Sequence, residues 1–218
     1  MIQFSRSMCK RIPMRLAVTL AATGATALLA GCQSQTQDAA AGSREAQRTF
    51  HSAEAGVALT YPATLERIDG NADTQAIQGY FDNGSWKLDA SAPGEALITL
   101  ALPGSDAITT GLWRLGISRD PEAVRQCQRP PANAQRESSP STLDGHAVVV
   151  FTQNDAGMNH FREVESYRSV IAATCYAIDL IVEGSNGDVY DPPRQAPFSR
   201  EAAHQALREI NAGLRLDG

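Results

Sequence analysis

The sequence predicts an α+β domain: an antiparallel β-sheet packed by one short central helix and one C-terminal helix. Three observations lead to this class. Most apolar segments alternate with a period of two, only two segments have helical spacing, and those two do not alternate regularly with the strands. A doubly wound parallel sheet would instead need strand, helix and strand in repeating order. A small lipocalin-like barrel with a C-terminal helix is the alternative.

The first half of the domain is predicted to consist of strands. Residues 57–62 alternate apolar and small side chains and end at a proline. Asn83-Gly84 is the dipeptide that best tolerates a type I′ turn, and it predicts a hairpin over residues 79–88. Two further strands are predicted at residues 96–102 and 112–118.

Both helices are predicted from the residues at their first turns. Asp120 is placed to cap a short helix with Pro121 at its first position, and this helix carries Cys127 in its last turn. Ser199 is placed to cap the final helix, whose apolar residues recur at gaps of four, three and four. These apolar residues are Ala203, Leu207, Ile210 and Leu214.

Three strands are predicted between the helices, at residues 147–152, 161–170 and 175–183. The last two are expected to pair antiparallel around residues 171–174. Residues 175–183 carry apolar side chains on both faces, so the sheet should be covered on at least part of each side.

The order of elements loosely resembles the PsbP-like fold over about residues 50–216. The resemblance is carried by an early strand that ends in Tyr61-Pro62, central hairpins, paired long strands near Tyr176 and a terminal helix. It implies a sandwich with helices on both sides of the sheet. No functional residue of that family can be transferred to this chain.

Residues 1–31 have the features of a cleaved signal. Basic residues precede an apolar run at residues 16–29, and no acidic residue occurs before Cys32. The run of about 14 residues is shorter than the roughly 20 that a spanning helix needs. An ordinary secretory signal and a lipoprotein signal both fit these features.

Leu29-Ala30-Gly31-Cys32 resembles the lipobox of bacterial lipoproteins. The resemblance implies cleavage before Cys32 and acyl chains on Cys32 that hold the protein on a membrane. In such lipoproteins of enteric bacteria, Asp directly after the lipidated cysteine directs retention in the inner membrane. Because Gln33 follows Cys32 here, the resemblance also implies the outer membrane, with the domain facing the periplasm.

The remaining chain divides into a tether and one domain. Residues 32–49 are rich in small and polar residues without apolar periodicity, which predicts a flexible tether, and residues 50–218 form the domain. Without residues 1–31 the chain has 15 basic and 24 acidic residues, a formal charge of −9. Nucleic acid is excluded as the expected partner, because binding phosphates requires clustered Lys and Arg.

The two cysteines of the domain, Cys127 and Cys175, are predicted to form a structural disulfide. Exported proteins fold in an oxidising compartment, where a leftover pair of cysteines usually joins. A reactive or metal-binding cysteine is the alternative, but neither residue has a Cys-x-x-Cys spacing or an adjacent histidine.

The sequence has no recognisable catalytic, metal or cofactor motif. The histidines are too dispersed to suggest a zinc site, and the residues around Ser185 depart from the nucleophile elbow of hydrolases. An unrecognised hydrolase would have to bring Asp144, His146, His160 and Ser185 into one cleft.

Arg162, Glu163, Glu165 and Arg168 alternate in charge along one predicted strand. We expect a solvated face or salt bridges across strands, because such pairs stabilise neighbouring strands. A catalytic carboxylate pair is the less economical interpretation.

A loop with Tyr190, Pro192 and Pro193 is the predicted partner-binding surface. A tyrosine beside a stiff diproline presents a rigid contact surface. The segment from Ser185 to Tyr190 is also similar to the Ser-Gly-x-x-Tyr loops of periplasmic lysozyme inhibitors, although Asn186 stands where those loops have glycine.

The expected function is therefore a lipid-anchored envelope protein whose domain is not catalytic and binds a protein or a cell-wall component. An inhibitor or immunity protein against a cell-wall hydrolase is the first alternative. An unrecognised envelope hydrolase is the second.

Overall fold

The computed structural model describes residues 46–68, 94–131, 134–137 and 139–217. The predicted signal peptide, Cys32, most of the tether and the hairpin at Asn83-Gly84 lie outside the described residues. The described residues all belong to the compact unit Ser43–Gly218.

The described elements follow the predicted order with several additions. The strands are β1 (Gln47–Ser52), β2 (Val57–Pro62), β3 (Glu66–Ile68), β4 (Glu95–Ala101), β5 (Thr110–Ser118), β6 (Gln135–Arg136), β7 (Ser141–Leu143), β8 (His146–Gly157), β9 (His160–Ile171), β10 (Thr174–Ser185) and β11 (Leu214–Leu216). The helices are α1 (Pro121–Gln126) and α2 (Arg200–Ile210). Strand β1 begins before the domain boundary predicted at residue 50.

Within the described residues the strands form two antiparallel sheets. The large sheet has the order β3-β4-β5-β10-β9-β8-β6, with β7 paired separately to β8, and the small sheet has the order β1-β2-β11. The predicted α+β class is confirmed. The barrel alternative is wrong, because β3 and β6 lie at opposite edges of the large sheet and do not pair with each other.

The helix caps behave as predicted. The side chain of Asp120 accepts hydrogen bonds from two backbone amides of the first turn of α1, and the Ser199 hydroxyl accepts one from Ala202 N at 3.1 Å. The prediction that Leu214 belongs to the final helix is wrong. Gly213 lies against the Thr60 carbonyl, where a Cβ atom would stand 1.9 Å from the oxygen, so the chain leaves the helix and extends beside β2 as β11.

The main core lies between one face of the large sheet, helix α2 and the small sheet. Helix α2 contributes Ala203, Leu207 and Ile210, all buried, and each large aliphatic side chain removed from water contributes about 1.5–3 kcal/mol. Trp113 is fully buried and its indole N–H donates to Asn211 Oδ1 at 2.8 Å. This bond satisfies the indole and holds the end of α2 against β5.

A smaller cluster on the opposite face of the sheet contains Ala101, Leu112, Val164 and Ile181. The sheet is therefore covered on both faces along β10, as its two apolar faces predicted.

Cys127 and Cys175 form the predicted disulfide, with a Cα–Cα distance of 5.8 Å. The bond joins the end of α1 to the start of β10 and closes a separation of 48 residues. In the chain-entropy model such a link stabilises the fold by roughly 4 kcal/mol.

Candidate functional site

The charges of β9 divide between the two faces of the sheet, because successive side chains of a strand point to opposite sides. On the face away from α2, Arg168 pairs with Asp179 at 2.8 Å and Arg162 pairs with Glu183 at 3.7 Å. All four side chains are buried. Salt bridges across strands were predicted, and they are present, but they lie inside the protein and not on a solvated face.

The buried Asp179–Arg168 pair has further polar and aromatic contacts. The Ser166 hydroxyl donates to Asp179 Oδ1 at 2.6 Å, and Arg168 also donates to the Ile178 carbonyl at 3.1 Å. The Arg168 guanidinium lies 5.3 Å from the centre of the Phe151 ring. These contacts offset the cost of burying the ion pair, so the cluster holds β8, β9 and β10 together.

On the opposite face, the acids of β9 point to α2. Glu163 accepts from Arg200 at 2.7 Å and lies 3.2 Å from His204 Nε2. Glu165 accepts from the guanidinium of Arg208, including Nε at 3.0 Å. Arg200, His204 and Arg208 recur every four residues and so share one side of the helix. Their bonds attach α2 to the sheet.

Glu165 has a perturbed pKa for identifiable reasons. Burial of the carboxyl by itself raises the pKa, but hydrogen bonds from Arg208 and Tyr167 and the Arg208 charge together hold the pKa below its ordinary value. Tyr167 is affected in the other direction, since burial and its hydrogen bond to Glu165 raise the pKa of the phenol. The carboxylate is thus ionised and fully engaged in structure.

The four hydrolase candidates do not meet in one cleft. Asp144 lies in the β7–β8 turn and His146 begins β8, and both contact the backbone of Leu216. His160 and Ser185 are register partners beside the far end of β8. A strand of this length extends on the order of 35 Å, which separates the two pairs far beyond hydrogen-bond reach.

Neither a metal site nor a membrane-spanning helix is found in the described part of the chain. No three His, Cys, Asp or Glu side chains there are grouped so as to hold a metal ion. None of the helices described is both long and apolar enough to cross a membrane.

The segment after β10, residues 186–197, contains the predicted contact residues, and we call it the Tyr190 loop. The Tyr190 hydroxyl lies 3.2 Å from the Ser185 hydroxyl, and the Arg194 guanidinium stacks 5.2 Å from the centre of the Tyr190 ring. Arg194 also pairs with Asp106 at 3.1 Å. Asp106 in turn accepts from the backbone of Ile108, so the loop is fixed to the β4–β5 connection.

The backbone of the Tyr190 loop is closed on itself. Arg194 N donates to Gly187 O at 3.0 Å, and a Cβ atom at Gly187 would stand 1.9 Å from Arg194 O. Asn186 N donates to Asn159 O at 2.8 Å, which ties the loop to the β8–β9 turn. Only glycine permits this approach of two backbone segments.

The outer surface of the Tyr190 loop combines apolar and acidic residues. Val189 is 53% exposed, and Asp188, Asp191, Pro192 and Pro193 are also exposed. The Asp191–Pro192 peptide bond is cis. The loop therefore presents an apolar tip with acidic flanks on a braced backbone.

Ser185 is not part of that surface. Its side chain is buried, and its hydroxyl donates to Ala107 O at 2.9 Å. The serine of the segment similar to lysozyme inhibitors thus supports the loop from inside, and Tyr190 and the exposed residues remain as candidate contacts.

Asp106, Arg194 and Val189 were not recognised from the sequence. The first two are 88 residues apart, and nothing in a single sequence connects them. Val189 is an isolated apolar residue in a polar loop, a pattern that has many structural explanations.

No protein-family model and no curated protein matches the sequence. Among solved structures, a Bacteroides thetaiotaomicron protein shares 12% identity and a TM-score of 0.43 over 78% of this chain, which spans about half (48%) of that chain. LpqN of Mycobacterium tuberculosis, described as involved in cell envelope biogenesis, shares 11% identity and a TM-score of 0.38, covering 79% of this chain and 91% of LpqN.

The solution structure of CyanoP, a cyanobacterial PsbP from Synechocystis, shares 8% identity and a TM-score of 0.39, covering 79% of this chain and 94% of CyanoP. These are distant structural similarities. They define no family for this chain, and its function has to be inferred from its own residues.

Replacing Glu165 with Gln tests the attachment of α2. Loss of the charge opposite Arg208 is expected to lower the free energy of unfolding by about 1–2 kcal/mol at neutral pH, since Arg208 is half exposed and partly screened. The folded pKa of Glu165 is lowered, so its contribution is present above the unfolded pKa and is lost as the pH falls through the folded pKa. Urea unfolding of both proteins between pH 7 and pH 3 should show the difference shrinking towards acid. A constant difference would contradict this.

Replacing Gly187 with Ala tests the bracing of the Tyr190 loop. The added methyl group meets the Arg194 carbonyl, so the loop must shift, at an expected cost of about 1–3 kcal/mol. Limited proteolysis should cut residues 186–197 faster than in the unaltered protein. Gly157→Ala is the matched control, because no atom lies within 4 Å of the position that its methyl group would take. Equal cleavage of the two variants would show that the loop is not braced there.

Proposed function

We propose that this protein is a lipid-anchored lipoprotein of the bacterial envelope whose domain is not catalytic and binds a protein or cell-wall partner through the Tyr190 loop. The observation that carries the proposal is the exposed apolar tip of that loop on a backbone braced by Gly187, Arg194 and Asp106.

The bracing supports binding on energetic grounds. A flexible loop loses conformational freedom when a partner orders it, and this loss offsets part of the contact energy. The Tyr190 loop is already held by the Arg194–Asp106 pair, the stacked Tyr190 ring and the backbone bond to Asn159. Its exposed Val189 and prolines can therefore be buried by a partner with little further ordering.

Two features support an envelope location. The Cys127–Cys175 disulfide fits an oxidising compartment outside the cytoplasm. The lipobox-like segment ending at Cys32 would supply acyl chains, and Gln33 after it favours the outer membrane. Two or three acyl chains together bind a bilayer far more firmly than one.

Binding is favoured over hydrolysis by the separation of the candidate catalytic groups. Asp144 and His146 contact Leu216 at one end of β8, and Ser185 bonds to Ala107 at the other. Each group already has a structural contact at its own end of the sheet.

A cationic partner is the second element of the proposal. Asp188 and Asp191 flank the exposed tip, and the chain without residues 1–31 has a formal charge of −9. Opposite charge accelerates association and excludes partners of the same sign. A cationic cell-wall hydrolase, with this protein as its inhibitor or immunity protein, is one partner of this kind.

The anchor is tested by Cys32→Ala in the full chain. Without a thiol to acylate, the protein is expected to move from the membrane fraction to the soluble envelope fraction. Cys9→Ala is the control, since Cys9 precedes the apolar run and should leave the fractionation unchanged. Membrane retention of Cys32→Ala would refute lipid anchoring. A sucrose gradient with signal only in the inner membrane would refute the outer-membrane placement.

The Tyr190 loop is tested by a photo-crosslinking amino acid at residue 189 in intact cells. A discrete adduct is expected there and not from the same group at Gln205, which is exposed on α2. Val189→Asp should then reduce recovery of that partner about tenfold, the effect of losing roughly 1.4 kcal/mol of contact energy. Equal adducts from both positions, or unchanged recovery with Val189→Asp and Tyr190→Ala, would remove the loop from the proposal. A captured cell-wall hydrolase would support the inhibitor alternative.

A further inference from the structure

The small sheet has two edges, and the β11 edge is closed by side chains. Leu216 N donates to Asp144 Oδ2 at 2.7 Å, and His146 Nε2 lies 3.1 Å from Leu216 O. Asp144 of the β7–β8 turn and His146 at the start of β8 thus occupy the backbone positions of Leu216 that a further strand would use.

The other edge of the small sheet is β1. Ala63 N donates to Ala46 O at 2.7 Å, so these two residues form a hydrogen-bonded pair in the antiparallel ladder of β1 and β2. Along an antiparallel strand, every second residue directs its backbone N–H and carbonyl to the partner strand, and the residues between direct theirs away from it. With Ala46 bonded to β2, the backbone groups of Gln47, Thr49 and His51 therefore face away from β2. No hydrogen bond joins these three outward positions to any other described residue.

The same alternation of inward and outward backbone groups can be checked on β11. Asp217 N donates to Gly56 O at 2.8 Å, which makes these residues a hydrogen-bonded pair and turns the backbone of Leu216 outward. Leu216 is the residue that Asp144 and His146 contact. On β11, therefore, the residue that the alternation turns outward is the residue whose backbone N–H and carbonyl have partners outside the small sheet.

Strand β1 has little of the usual protection of an exposed edge. Natural edges carry Pro, charged side chains (above all Lys) or a bulge that hinders pairing with another chain. β1 has six residues in continuous register with β2, contains neither Pro nor Lys, and has Arg48 as its one Asp, Glu, Lys or Arg residue. Gln47, Arg48, Thr49 and His51 are exposed.

We propose that β1 pairs antiparallel with β1 of a second copy of this chain, with Thr49 on the two-fold axis. This register uses all three outward residues, because Thr49 faces Thr49 of the second copy and Gln47 faces His51. About six backbone hydrogen bonds form across the axis, two for each hydrogen-bonded pair.

The side chains of this register are compatible with one another. Thr–Thr pairs across antiparallel strands are favourable. Arg48 lies opposite Phe50 of the second copy and not opposite its own like charge, and an arginine beside an aromatic ring is attracted to it. Phe50 already accepts such a contact from Arg67, whose guanidinium lies 5.4 Å from the ring centre.

The assembly stops at two copies. A two-fold contact uses the same surface of both chains and consumes both β1 edges. Growth through the opposite edge of the small sheet is blocked, because Asp144 and His146 occupy β11 at Leu216. The closed edge and the open edge together specify a dimer.

The first test places a cysteine on the predicted axis. The full chain with Thr49→Cys is oxidised in its native envelope and separated on a non-reducing gel, where a band at twice the monomer mass is expected, because facing residues of such a pair have Cα atoms about 5.5 Å apart. Glu201→Cys, exposed at the start of α2, is the matched control and should remain monomeric. No more dimer from Thr49→Cys than from Glu201→Cys overturns the proposal, as does an adduct of Thr49→Cys with a different protein.

The second test removes the outward N–H of residue 49. Thr49→Pro leaves every β1–β2 hydrogen bond in place, because the Thr49 N–H points away from β2. The purified full chain is expected to lose its dimer in sedimentation velocity, whereas Thr49→Val, which keeps the N–H, remains dimeric. If circular dichroism shows that the Pro variant is unfolded, Thr49→Asp replaces it, since two carboxylates on the axis repel. A monomeric unaltered chain, or a folded variant that remains dimeric, overturns the proposal.

Discussion

The antiparallel ladder between β9 and β10 is the constraint on which the other features depend. It runs without interruption from the Thr174–Ile171 pair to the Ser185–His160 pair. Because side chains alternate along both strands, this single register assigns every residue of β10 to the face of α2 or to the opposite face. It places Cys175 within reach of α1 and sends the chain into the Tyr190 loop beside the β8–β9 turn.

The parts of the fold that follow from local pattern could be predicted from the sequence. The caps at Asp120 and Ser199 use side chains that bond to their own helix, and the long strands carry alternating apolar residues over their whole length. The disulfide was predicted because Cys9 and Cys32 precede the domain, which leaves Cys127 and Cys175 as its two cysteines. The α+β class followed from the order of these elements.

The parts that depend on distant contacts could not be predicted. β3, β6 and β7 have only two or three residues, and each pairs with a longer strand. β1 is mostly polar and pairs with β2 along its whole length. The polar residues at the end of β8 extend the strand only because β9 pairs with them. Leu214 has the spacing of the final helix, but the contact of Gly213 with Thr60 redirects the chain. In the candidate site, Tyr190 was recognisable as an aromatic residue near prolines, whereas the Asp106–Arg194 pair joins segments that no local pattern connects.

The charged residues of β9, three of them buried and Glu163 partly buried, also restrict the register of the sheet. Arg162 and Arg168 pair with acids on one face, and Glu163 and Glu165 pair with α2 on the other. If β9 slipped by one residue against β10, each arginine would lose its acid and each glutamate would turn away from the helix. A buried pair that loses one member costs about 3–5 kcal/mol, which is comparable to a large part of a domain's total stability. The charges therefore specify the register of β9. The apolar residues of β10 are compatible with burial on either face of the sheet, whereas only one alignment of β9 pairs its charged residues with partners of opposite charge.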